Sequence, residues 1–375
     1  MKKYVFIIAN ALFVGVLLFI AVSCSSAKKI TVHNTLDISR EKEMVEVSPE
    51  QLGLEQNSIF IIFDDKGLEV PYQILQNGNI IFPVDEITAS ASRVYSIKKG
   101  KPTPPTAKTF ARFIPERKDD FAWESDRIAF RMYGPALKPE YPSNGVDLWL
   151  KCTENLIIDK FYYDDLNNRK SYHVDHGEGL DCYKVGHTLG AGGVTPYKDG
   201  TLWTGNNFDH HKLIENGPLR SSFTLTYDSL KVNGASVKQT VTISIDAGSQ
   251  LNKAVVKYET EEDIQIATGL FLHDVIGNIR SDAERGYIAY GEVATSDAGV
   301  PAGRNYVGVI APPKSIVEIT EQEQHLLIIS SREKEEFTYY FGGGWSKWGF
   351  PTDEDWFNYM KKKAETAYNP LEVSF

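Results

Sequence analysis

The sequence predicts a mainly β protein built on a large antiparallel sandwich, and three observations carry that reading. Short runs alternate apolar and polar residues, as in Phe223-Thr224-Leu225-Thr226-Tyr227 and Thr240–Ile245, which puts every second side chain on one face of a strand. Turn signals such as Asp64-Asp65-Lys66-Gly67 and Asn77-Gly78 separate the runs. Apolar residues at helical spacing are nearly absent before residue 352.

The chain opens on Lys2 and Lys3, an uncharged run from Tyr4 to Ser23, and then Cys24. This pattern predicts a lipoprotein signal peptide over residues 1–23, with Cys24 as the lipid-bearing first residue afterwards. An uncleaved membrane anchor is the alternative, since the run is almost long enough to span. No acidic run follows Cys24, which points to the periplasm and a lipid anchor in a membrane rather than to the cell surface.

Residues 30–100 read as a small N-terminal β module. Ile30–His33 alternates, Ser58–Phe63 is a short apolar run, and Asn77-Gly78-Asn79 marks a hairpin between Tyr72–Leu75 and Ile80–Phe82. Pro102, Pro104 and Pro105 make residues 101–109 an extended linker. Residues 110–375 then form the sandwich domain. Its further strands are Ala254–Tyr258, Ile264–Leu272, Tyr287–Tyr290, Tyr306–Ile310, Leu326–Ile329 and Glu336–Phe341. Near its end, Thr352 reads as the N-cap of a helix over 353–365, with Asp353, Glu354 and Asp355 in the first turn and Trp356, Tyr359 and Met360 on one face.

The net charge is −10, and −12 once Lys2 and Lys3 leave with the leader. An acidic chain without clustered cations argues against nucleic acid as a partner. Beyond the leader only Cys152 and Cys182 remain, which allow one disulfide or two separate thiols.

Two stretches concentrate reactive side chains. Ser171–Gly193 holds three of the eight histidines (His173, His176, His187), the carboxylates of Asp175, Glu178 and Asp181, the Tyr183-Lys184 pair and six glycines. Phe121–Gly134 carries Trp123, Glu124, Arg127 and Arg131. Read as one strand, it would set Arg127 and Arg131 on one face, a fork suited to carboxylate or sulfate. The run Phe341–Gly349 reads as a flexible loop bearing Trp345 and Trp348. Arg220 is a further anion binder, and His210-His211 would point to opposite faces of a strand. A divalent metal held by His173, Asp175, His176 and Glu178 is an alternative, although the spacing fits no standard zinc motif. No cofactor is otherwise indicated, and GxSxG, GxGxxG and P-loop motifs are missing from the sequence.

Four segments carry a family resemblance: DFAWESDRIAFRMYGPAL (120–137), SYHVDHGEGLDCYKVG (171–186), NGP (216–218) and GGGWSKWGFPTDEDW (342–356). With them the chain resembles the domain of unknown function 4861 family. The resemblance implies a secreted carbohydrate-active protein and a sandwich of the galactose-mutarotase type. It also implies, as one activity known in the family, dehydration of ulvan oligosaccharides at a terminal uronic acid to a 4,5-unsaturated sugar.

That reaction needs a base for the C5 proton, cations to neutralise the adjacent carboxylate, and an acid for the C4 oxygen. The residues at hand suggest His176 as base, oriented by Glu178 or Asp175, and Tyr183 or His173 as acid. Arg131, Arg220, Arg127 and Lys184 would hold the carboxylate, with Glu124 alongside and Trp123 and Trp345 stacking on sugar rings. The expected partners are an acidic oligosaccharide and a membrane reached through the lipid anchor. The rival readings are a glycoside hydrolase using Glu124 or Glu178 with Asp181, a non-catalytic sugar-binding lipoprotein, and an epimerase or mutarotase.

Overall fold

The computed structural model describes residues 28–55 and 58–375; the leader and Cys24 lie outside them. Two sheets make the N-terminal module. One runs 372–374, 28–33, 92–99, 60–63 and 69–70 in spatial order, and the other 40–47, 80–87 and 73–74. Ile30, Val32, Phe60, Ile62, Phe82 and Tyr95 fill the space between them. The hairpin at Asn77-Gly78 forms as expected, with Ile74 opposite Ile80 and Gly78 at φ +86°. The domain limits move at both ends. Glu372–Ser374 joins the module by pairing with Thr31–His33, and the first sandwich strand, Thr109–Ile114, begins inside the expected linker.

An eight-stranded antiparallel sheet forms one wall of the sandwich, in the order 210–216, 220–232, 235–246, 251–259, 336–345, 301–310, 287–295 and 277–282. Two five-stranded sheets face it: 179–181, 147–151, 129–132, 120–125 and 109–114, and then 201–202, 191–198, 265–271, 325–330 and 316–322. Phe223, Val241, Val256, Phe341 and Val307 from the first wall meet Phe121, Phe130, Leu148, Ile266 and Ile328 from the second in one continuous core.

The terminal helix spans Asp353–Ala367 with a capping box: Thr352 and Asp355 bond each other's backbone N–H. It lays Trp356, Phe357 and Met360 on the outer face of the large sheet, and the Trp356 indole donates to Val307 O at 3.0 Å.

Two readings from sequence give way here. Phe341–Trp345 is no flexible loop but the end of the Glu336–Trp345 strand, in the interior of the large sheet. Its glycines are there for close approach. A Cβ on Gly343 would lie 2.8 Å from the Leu148 side chain of the facing sheet, and one on Gly344 would lie 2.6 Å from the Phe350 ring. A second helix, Ile158–Leu166, also forms, without a side-chain cap from its own first residues. Its cap is Glu124, whose carboxylate accepts from Ile157 N at 2.8 Å and Ile158 N at 2.9 Å and pairs with Lys151 at 2.6 Å.

Candidate active site

Register builds the centre of the site. Arg131 lies opposite Asp147, and Trp149 opposite Asp181, on three adjacent strands. The Arg131 Nη2 therefore donates to both Asp147 (2.6 Å) and Asp181 (2.8 Å), and its plane lies 5.1 Å from the rings of Tyr133 and Trp149. All of these side chains are buried. Burial, with Asp147 alongside, pushes the Asp181 carboxyl from 3.8 up to about 8, so it holds a proton at neutral pH. Gly179 allows the turn into this strand: its φ is +133°, and a Cβ would meet Leu150 O at 2.0 Å.

His173 sits at the outer edge of this network. Its Nδ1 is 2.9 Å from the Asp181 carbonyl oxygen and 3.6 Å from the carboxylates of both Asp181 and Asp297. A carbonyl only accepts, so Nδ1 carries the hydrogen and Nε2 is left as the basic nitrogen. The ring is half-buried. Lys184 pairs with Asp297 beside it. Burial opposes the Lys184 ammonium, but Asp297 outweighs it and raises the pKa.

A second histidine, not singled out from the sequence, completes the cluster. His273 Nδ1 lies 2.8 Å from the buried Glu292 carboxylate and Nε2 lies 2.6 Å from Lys184 O. Both ring nitrogens face acceptors, so both donate and the ring is an imidazolium. Burial works against that charge and Glu292 overcomes it, raising the pKa. Asn305 fixes Glu292 with a 3.1 Å bond. The signal available in the sequence was parity: Glu292 shares a strand face with Ile288, Tyr290 and Ala294, all core residues.

The other expected site residues are dispersed. His176 is exposed, with Nε2 3.2 Å from Ser171 O; Asp175 bonds Lys347, and Glu178 pairs with Lys160 of the 158–166 helix. The four residues read as metal ligands thus turn to four different partners, and among the described residues no cluster of His, Cys, Asp or Glu is arranged to hold a metal. Tyr183 is buried under the His273 ring, whose centroid is 5.0 Å away, and its hydroxyl has no partner. Burial raises that hydroxyl well above its ordinary value.

Trp123 and Trp345 cannot stack on a sugar here. Both are core side chains whose indoles donate to Asn252 and to Ala302 O. Glu124 is sealed as a helix cap, so it is not available as a glycosidase carboxylate with Asp181. Arg127 is not on a strand face with Arg131, because Asp126-Arg127 is the turn of a hairpin closed by Ser125 N to Ile128 O. Arg127 instead pairs with Glu154 at 2.8 Å and packs on Trp348.

Arg220 is a fastener. It binds Asp246 with two bonds and reaches Glu46 of the module at 2.8 Å, while Gln73 accepts from Leu219 N and Arg220 N. Gly217 of the NGP segment leaves room for the Gln73 side chain, which a Cβ would strike at 2.1 Å. Cys152 and Cys182 are both free thiols.

Comparisons with known proteins agree with this architecture. An uncharacterised protein of Formosa agariphila is 30% identical over 374 residues, covering 93% of this chain and 94% of that protein. Two solved structures from Enterococcus faecalis share the fold. An alpha-mannosidase gives a TM-score of 0.51 at 8% identity, over 93% of this chain and 46% of its own. A protein in glycosyl hydrolase family 38 gives 0.52 at 9%, over 93% and 47%. The chain spans about half the length of these two structures, and at such identities the likeness is one of fold alone. The family described as a domain of unknown function (DUF4861) matches residues 32–373, nearly all of the described chain. This chain belongs to the DUF4861 family.

Proposed function

We propose that the protein is a lipid-anchored periplasmic enzyme that removes water from a uronic acid residue of an acidic oligosaccharide, leaving a 4,5-unsaturated uronate. The observation that carries the reading is His173: Nδ1 is held by the Asp181 carbonyl, which leaves Nε2 basic, and the Lys184 ammonium shares the Asp297 carboxylate with it. A sandwich shared with a protein described as an alpha-mannosidase supports a carbohydrate substrate.

His173 Nε2 takes the C5 proton, the C5–H electrons form the C4=C5 double bond, and the C4 oxygen departs with its bond pair. The C5 proton is acidified by the neighbouring carboxylate, whose growing charge Lys184 neutralises, with the His273 imidazolium adding positive potential. Tyr183 lies too deep to reach the C4 oxygen. Protonated His173 is the group placed to return the proton, which makes the leaving hydroxide a water. His173 therefore takes the part first given to His176.

The test is incubation of the purified protein with a panel of uronate oligosaccharides, read by ultraviolet absorbance and mass. Loss of one water with a new double bond is expected. Chain cleavage with a double bond would make it a lyase. Gain of water would favour a hydrolase, unchanged mass an epimerase or mutarotase, and no product with retained binding a sugar-binding lipoprotein.

A further inference from the structure

We propose that the cleft between the N-terminal module and the sandwich is a second binding site, separate from the His173 cluster, that takes an acidic saccharide. Three connected cavities of about 340, 400 and 300 Å³ lie there, and Lys42 lines all three. None of them is lined by His173, His176 or Tyr183.

The backbone turns sharply at Lys42. In the pairing of 40–47 with 80–87 the register runs unbroken, with Glu41 facing Glu86 and Glu43 facing Val84, so Lys42 lies opposite Asp85, outside ion-pair distance of it. Its φ is +54°, a left-handed conformation that strains any residue with a Cβ. The lysine stem lies against Gly248 of the sandwich, where a Cβ would stand 3.4 Å from Lys42 carbons.

Most cations of the cleft are already paired. Arg40 holds Glu43, Lys108 holds Asp126, Lys362 lies 3.7 Å from Glu41, and Arg220 holds Asp246. Among the described residues, the Lys42 and Lys363 ammoniums have neither a hydrogen bond nor a carboxylate within ion-pair distance. Burial pushes the half-buried Lys363 ammonium down, with Glu43 only partly offsetting it, as for a charge still lacking a partner.

A hydroxyl-bearing ligand is indicated by Gln250. Its side chain is 8% exposed, lines the cavity of about 300 Å³, and its Oε1 has no hydrogen-bond donor. A buried carbonyl oxygen in that state is stabilised by any O–H brought to it. Arg127 lines the same cavity and its Nε is likewise unpartnered. Tyr359 and Phe350 supply a ring-lined wall. Two ammoniums without a hydrogen bond or ion pair, of which Lys363 lies over the Tyr359 ring at 5.9 Å, an orphan acceptor and aromatic rings suit a sugar that carries a carboxylate or sulfate and free hydroxyls. The unpaired groups point to an anion; naming it as a saccharide rests on the functional reading above.

Calorimetric titration of the whole protein tests the proposal, with a galacturonate trisaccharide, a neutral galactose trisaccharide and inorganic sulfate as probes. The acidic trisaccharide is expected to bind at two sites. Lys42→Gly with Lys363→Met should remove one of them, weakening it tenfold or more, while turnover of the same trisaccharide is unchanged. Gln250→Leu should weaken the trisaccharide but not sulfate. Lys42→Gly also keeps the proposal separate from misfolding, since glycine takes up the left-handed φ without strain and should raise the melting temperature. Equal binding by wild type and double variant would overturn the site. Sulfate binding without saccharide binding would overturn the saccharide assignment. Cleft binding without turnover would leave the site standing and sink the dehydratase reading instead.

Discussion

Arg131 is a buried guanidinium with Asp147 and Asp181 on one nitrogen and aromatic rings on its faces, whereas Lys42 and Lys363 line a cleft in which no carboxylate lies within ion-pair distance of either ammonium. The sequence pointed to Arg131 as a carboxylate holder and to neither lysine. The structure takes Arg131 out of that role, because a buried cation whose donors are taken by its own chain cannot reach a ligand. The same contrast separates His173 from His273. One keeps a basic nitrogen, and the other has both nitrogens committed to Glu292 and Lys184 O.

Four measurements would break or sharpen this comparison. The largest effect is expected of Arg131→Ala. Removing one partner of a buried ionic network leaves unpaired charge, at a cost of about 3–5 kcal/mol, read from denaturant unfolding. A loss no greater than that of a surface lysine would show the network to be slack.

Next comes His173→Ala, which should lower kcat by about 10²–10⁴-fold with little change in stability. His176→Ala should leave kcat within roughly twofold of wild type, since a group outside the reacting atoms contributes little to transition-state binding. If the two variants exchange these results, the base is His176 after all.

The third is a pH effect. The Asp181 carboxyl is raised in the fold from 3.8 to about 8, so the folded chain keeps a proton that the unfolded chain releases. That contribution to stability is lost as pH climbs from about 4 to about 8 and is flat above. Asp181→Asn should level this stretch of the thermal unfolding profile, and an unchanged slope would place the proton elsewhere.

The smallest is Lys42→Gly, which should stabilise the fold by roughly 1 kcal/mol, the cost of a left-handed residue with a side chain. A destabilised variant would mean that Lys42 has a structural partner after all.

The strands were legible because alternation is a local signal, and nearly every run read from sequence lies in an observed strand. The helix at 158–166 was not, because its cap is Glu124, far back in the chain. The glycines at 342–344 were misread because composition alone does not separate a mobile loop from a strand pressed by Leu148 and Phe350. Arg127 and Arg131 were put on one face because the Asp126-Arg127 turn lacks glycine and proline. Of the expected site, the 171–186 stretch supplied His173, Asp181 and Lys184, all within one cluster. Glu292 and Asp297 come from the 287–295/301–310 hairpin of the large sheet and His273 from the connection between 265–271 and 277–282, and no local motif marks them.

The pairing of Glu372–Ser374 with Thr31–His33 has a bearing on how the protein is made. Until residues 372–374 dock, the 28–33 strand of the module presents an open sheet edge, a template for wrong partners. The whole sandwich lies between the two strands in sequence, and the far strand closes the edge. Chains halted before it would carry a finished sandwich beside an unsealed module, and proteases or chaperones could tell them from complete ones by that edge alone.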